Sequence, residues 1–315
     1  MTSADHSPTG KNMETNFVDI RTKDDLLRRE RYEPSLQFYP RAARKFGEVL
    51  GPYVFLEPIE CGIASCGTPH LRGYLITTDD EKETSIGNLC GMRHFGVEFK
   101  RKRRAVDQAV DRARRIETIM NFKASLPELI SLIEGIDRDY ATLRDLKRRL
   151  IGAIGEGVFG TLKGLADRGT SSITRHVPMT PKEAEAYFAT SNRHPGDGKG
   201  WPTNEVVIAS FEGLAFISAR FKDMVDVGLL TPLREMQAMP TDDIATIKPR
   251  LLNATAKWVG EVPGRLAVAQ DIIHAGWQFF TPENIGRLVH IGADRSALTP
   301  MISDLPAHGA IKGRS

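Results

Sequence analysis

The sequence holds only three cysteines in 315 residues. That is too few for the disulfide framework of a secreted domain, and their clustering between positions 61 and 90 points to a local use of the thiols. There is no uninterrupted apolar run of the ~18 residues that a bilayer-spanning helix needs. The first thirty residues mix both charge signs and lack the apolar stretch of a secretory signal, so a cytoplasmic location is expected. Neither charge sign is in large excess: 43 Lys+Arg stand against 40 Asp+Glu, a net of +3. Aromatic residues are sparse at 7%. The sequence contains no G-x-S-x-G, no H-E-x-x-H and no dinucleotide fingerprint, so none of those catalytic devices is available. What is present, 41% apolar and 26% charged residues, is the composition of a folded chain long enough for two or three domains.

Four regions follow from pattern. Residues 1–35 read as a flexible tail, disordered over about the first fifteen, with a short helix over Asp24–Arg31. Residues 36–97 open with aromatic, proline-punctuated segments suited to short extended pieces. They continue with two β-type runs, His70–Thr78 and Thr84–Leu89, joined through the polar turn Asp79–Lys82 as a hairpin. Over 98–168 the period becomes helical. Val106, Ala109, Ala113, Ile116 and Met120 make one stripe; Leu129, Ile133, Ile136, Tyr140 and Leu143 make a second. Ser125-Leu126-Pro127-Glu128 marks the start of the second helix, so an antiparallel helical hairpin or coiled coil is expected. Five glycines between 152 and 164 predict a close helix crossing there, with a membrane-surface helix as the alternative. Residues 169–315 read as a helical domain, with helix starts at Thr180, Thr241 and Thr281. A helix is expected over Gly264–Trp277, and the most apolar helix of all over Val206–Val227. The predicted fold is thus mainly α with a small α+β module.

One constellation carries chemistry. Cys61-x4-Cys66-Gly67 precedes the hairpin, and Cys90-Gly91-x2-His94 follows it, with His70 nearby. Zinc takes four tetrahedral thiolate and imidazole ligands, commonly as two short-spaced pairs. Positions 90 and 94 share one helix face, and a helix N-terminus favours an anionic sulfur. Two alternatives stand beside this: three buried free cysteines, and a ligand set in which His70 replaces His94. Knuckle, hairpin and a ligand pair at a helix start together resemble a treble-clef zinc finger over about residues 58–100, with an x4 spacing where x2 is commoner. The resemblance implies Cys61, Cys66, Cys90 and His94 as ligands of a structural ion. Such a set leaves no open coordination position, which argues against catalysis at the metal.

Behind the metal pair runs Lys100-Arg101-Lys102-Arg103-Arg104, then Arg112, Arg114 and Arg115. A basic helix of this kind can lie along phosphates with little base readout, since no aromatics interleave with it. It can equally be a solvated helix face. The glycine-rich loop Pro195–Gly200 and the scattered His176, His194, His274 and His290 are weaker candidates. The expectation is therefore a zinc-stabilised, non-enzymatic protein that binds nucleic acid backbone through Lys100, Arg101, Lys102, Arg103, Arg104, Arg112 and Arg115. The alternatives are a protein–protein adaptor or self-associating scaffold using the helical hairpin, and an enzyme with its site in 170–315.

Overall fold

Along His70–Thr78 alternate side chains part to opposite faces, as a strand requires: Tyr74 and Ile76 enter one apolar cluster and Leu75 another. This strand, β2, is the centre of an antiparallel sheet, flanked by β1 (Phe46–Ile59) and β3 (Glu83–Gly87). The structure, a computed structural model, describes residues 17–305; the expected disordered segment at the start of the chain lies outside them. The chain forms two compact units. One contains the residues through Phe122 together with Thr241–Val259, the other Lys123–Pro240 and the residues from Gly260 on.

In the first unit both faces of the sheet are covered. Helix α1 (Lys23–Leu27), capped by Thr22 and Asp25, brings Leu26 to one face, where Ile20, Tyr53, Phe55 and Leu75 are buried. Helix α2 (Asn88–Ala124) leaves β3 without a linker and lays Phe99, Val106 and Val110 on the other, against Val49, Ile76, Ile86, Leu36, Phe38 and Ile63. Strand β3 is buried along its whole length, polar residues included. Each polar side chain there is answered: Glu83 pairs with Arg29, Thr84 Oγ1 donates to the Glu33 carbonyl at 2.7 Å, and Ser85 Oγ lies 2.9 Å from the Tyr32 hydroxyl. Helix α2 is broken once, at Gly96, with φ 58° and ψ −131°. Glycine alone adopts that region freely.

The second unit is built on α3 (Leu126–Asp167). There follow β4 (Ser172–Pro178), α4 (Pro181–Thr190), β5 (Thr203–Ser210), α5 (Ala215–Ser218), a π-helix over Asp223–Leu230 and α6 (Thr231–Ala238). Helix α7 (Thr241–Thr246) and the start of α8 (Pro249–Phe279) belong to the first unit. The rest of α8 lies in the second with α9 (Pro282–Gly286), a 3-10 turn and α10 (Arg295–Ser303). The mainly α fold with a small amount of β is therefore observed, and helices begin at Pro181, Thr241 and Pro282, with Thr180 and Thr281 as N-caps. Among the described residues no helix is long and apolar enough to cross a membrane.

Two expectations change. The segment 206–227 is not one helix: Thr203–Ser210 pairs antiparallel with β4, and the chain turns at Gly213 with φ 68°. A Cβ on Gly213 would stand 1.9 Å from the Ala275 carbonyl oxygen, so this turn is dictated by close backbone approach. The glycines of α3 do not mark a close crossing either. Beyond the helix's own nearby backbone, no atom of the described residues lies within 4 Å of where a Cβ would stand on Gly152, Gly155, Gly157 or Gly160, and Gly155, with φ 75°, breaks the helix. In the first unit Val106 and Val110 face the sheet. In the second unit Ile133, Leu143 and Leu150 are buried, and α3 meets α5 and α10.

Candidate metal centre

The loop from Cys61 to Thr68 is a closed turn. The Cys61 amide donates to the Thr68 carbonyl at 3.2 Å, and the Cys66 amide to that of Ile63 at 2.7 Å. Gly67 completes the turn at φ 56°. The loop is pinned on both sides, by the Gly62 amide on the Ser85 carbonyl at 2.6 Å and the Leu36 amide on the Gly62 carbonyl at 2.7 Å. Gly62 is required, because a Cβ there would stand 1.8 Å from Thr84 Oγ1. From the other side β3 ends directly in α2, which puts Cys90 in the helix's first turn. The next residue, Gly91, lies under the Phe99 ring, where a Cβ would be 2.5 Å from ring carbons. The break at Gly96 precedes Phe99, which is fully buried.

These two constructions bring three sulfurs together. The Sγ atoms of Cys61, Cys66 and Cys90 all lie within 4.8 Å of one another, and those of Cys66 and Cys90 are 3.1 Å apart. Backbone amides of Ile63 and Gly87 bond to Cys61, and the amide of Thr68 bonds to Cys66. Burial pushes the Cys61 thiol up and the Cys90 thiol to about 12. Cys66 falls to about 7, chiefly through the Thr68 hydroxyl 3.3 Å away. Cys66 and Cys90 share one hydrogen bond, for which either sulfur can be the donor. Three thiolates this close would repel unless a cation lay between them. A divalent ion would supply that charge, and amide donors around the sulfurs are the outer-shell support that thiolate sites use. The donor set fits a soft or borderline metal.

The two histidines are placed differently. His70 is engaged through both nitrogens, with Nε2 2.7 Å from the Tyr53 hydroxyl and Nδ1 3.3 Å from the Thr68 carbonyl; burial lowers its pKa. His94 is exposed, one helical turn beyond Cys90, with its ring centroid 6.2 Å from that of Phe95. It lines a hollow of about 150 Å³ with Ile63, Ser65 and Tyr39. Neither ring belongs to the group of mutually close ligand atoms.

The basic run divides by what each side chain touches. Lys102 donates to the Gly47 carbonyl at 2.6 Å and pairs with Glu48 and Glu98; Arg103 bonds to Asn88 and stands over the Tyr74 ring. Arg112 donates to the carbonyls of Ala245 and Ile247 at 2.6 and 3.1 Å. These three hold the first unit together. Arg115 is half-buried. Lys100, Arg101 and Arg104 are exposed, with Arg104 three and four residues beyond the other two. Arg114 lines a separate cavity of about 590 Å³ with Phe17, Tyr53, Val110 and Glu117, a feature no sequence pattern announces. In the second unit the glycine-rich loop is closed on itself: Arg193 grips Asp197 and the Gly200 carbonyl, and Asp197 accepts from the Lys199 amide. No family model, curated protein or solved structure matches this chain.

Proposed function

We propose that this is a zinc-stabilised, non-enzymatic protein that binds the phosphate backbone of nucleic acid. In this reading Cys61, Cys66, Cys90 and His94 hold the ion. The observation that carries the metal part is the convergence of the three sulfurs from a pinned loop and a helix start. Zinc suits three thiolates and an imidazole in tetrahedral array. His94 is favoured over His70 as fourth ligand because it is exposed and one turn from Cys90, whereas both nitrogens of His70 are occupied. The ion ties loop 61–68 to the start of α2, and so fixes the helix that carries Lys100, Arg101 and Arg104.

The nucleic-acid part rests on that exposed triad. Three phosphate contacts on a duplex correspond to a log–log salt slope of about −2.7. Fluorescence anisotropy with a labelled duplex and a labelled single strand, from ~50 to ~200 mM salt, tests it. Binding with that slope, lost when Lys100, Arg101 and Arg104 are together changed to Ala, is expected. No binding at the lowest salt would overturn this part and leave the metal centre standing. A second reading, a protein adaptor, is favoured by the exposed apolar side chains Val54, Leu56 and Leu71 near the loop-joined end of β1 and β2. Light scattering and partner capture dependent on Leu56 would support it.

A further inference from the structure

The two accessible thiols of the three face each other directly. Cys66 and Cys90 are each partly exposed and 3.1 Å apart, whereas Cys61 is 3% exposed and held in the core. Cys66 sits on a loop turn beside the Thr68 hydroxyl, and Cys90 on the first turn of a helix. A sulfur oxidised at Cys66 therefore has a partly exposed thiol 3.1 Å away, on a loop that is tied at Gly62 and Leu36.

We infer that Cys66 and Cys90 form a peroxide-reactive pair, in which hydrogen peroxide oxidises Cys66 and Cys90 resolves the product to a disulfide. In the first step the Cys66 sulfur attacks one peroxide oxygen. The S–O bond forms, the O–O bond breaks, and the second oxygen leaves as water with the thiol's proton, giving a sulfenic acid. In the second step the Cys90 sulfur attacks that of Cys66. The S–S bond forms, the S–O bond breaks, and hydroxide departs as water with the Cys90 proton. Two thiols and one peroxide become one disulfide and two waters; the sulfurs give up two electrons and the peroxide takes them. The inference rests on the same thiols as the metal reading but needs no ion. In metal-loaded protein the reaction removes two of three thiolates and releases the metal.

The test uses the full chain, as purified and after chelation, with metal content measured first and the reduced protein then treated with hydrogen peroxide. Intact mass is expected to fall by two hydrogens, and a thiol reductant is expected to restore it. Cleavage after Arg72 and Lys82 separates the peptide bearing Cys61 and Cys66 from the one bearing Cys90. Fragmentation of the cross-linked pair should join Cys66 to Cys90 and leave Cys61 open to alkylation. Cys90→Ser should stop at a sulfenic acid that a sulfenic-selective nucleophile traps; should that variant not fold, the map of the unmodified chain decides. A cross-link through Cys61, or over-oxidation of Cys66 with no cross-link, would overturn the inference. Protein that is metal-free as purified yet forms the bond would sink the metal reading alone. A metal-loaded protein whose chelated form resists peroxide would sink this inference alone.

Discussion

Replacing Cys90 with Ser tests the metal centre most directly, because it removes one thiolate while keeping a small polar residue in the first turn of α2. An ion present at a thousandfold above its dissociation constant adds about 4 kcal/mol to the folded state. For a unit of this size each kcal/mol moves the melting temperature by roughly 4 °C, so loss of the ion should lower it by about 15 °C. The unit should not unfold outright. Its sheet is covered on both faces by an apolar core far larger than the sulfur cluster, among it Leu75, Ile76, Ile86, Phe99 and Tyr53. The damage is expected to be local: faster amide exchange over 61–68 and the first turns of α2, with the central strand β2 still protected. Metal content, thermal unfolding with and without a chelator, and amide exchange on the wild type and the variant together decide it. Wild-type protein that carries no metal, and melts with the chelated sample and the variant at one temperature, would refute the reasoning.

Three further outcomes are expected. In cobalt-substituted protein, His94→Ala should shift the visible ligand-field bands and His70→Ala should leave them in place; the reverse pattern would make His70 the fourth ligand. Asn284 is 1% exposed, accepts from the Glu212 amide at 3.0 Å and donates to the carbonyls of Glu212 and Phe279, also at 3.0 Å. Asn284→Ala strands those groups and should cost roughly 1–3 kcal/mol in urea unfolding. The Arg44 guanidinium and the Thr78 hydroxyl hold the Asp80 carboxyl well below its usual range. A depressed folded pKa makes the pair's contribution present above the ordinary carboxylate value of about 4, and lost as pH falls below it. The pair is partly exposed, so that contribution is under about 1 kcal/mol. The stability gap between wild type and Asp80→Asn, read at neutral pH and again in acid, should therefore close in acid.

Much of this molecule is legible in the order of its residues. The β-type run 70–78 marks β2, the helical period of Val106, Ala109 and Ala113 marks α2, and Thr180 with Glu183 announces a capping box that the structure contains. These signals are local, since each depends on neighbours within one turn or one pleat. The co-location of three thiols is also implied by spacing, because a hairpin returns the chain close to where it left. What the order of residues did not determine is which surface each element covers. The apolar density of 206–227 reads as a helix, yet it is cut at Gly213 by the Ala275 backbone, a neighbour more than sixty positions away. Lys102, Arg103 and Arg112 look identical to Lys100, Arg101 and Arg104 in a charge run. Only the carbonyls and rings of Gly47, Tyr74 and Ala245 divide holders of the fold from free cations. His70 and His94 are separated in the same way, by a tyrosine hydroxyl that no spacing rule contains. Periodicity assigns the elements; close approach between distant segments assigns each side chain its task.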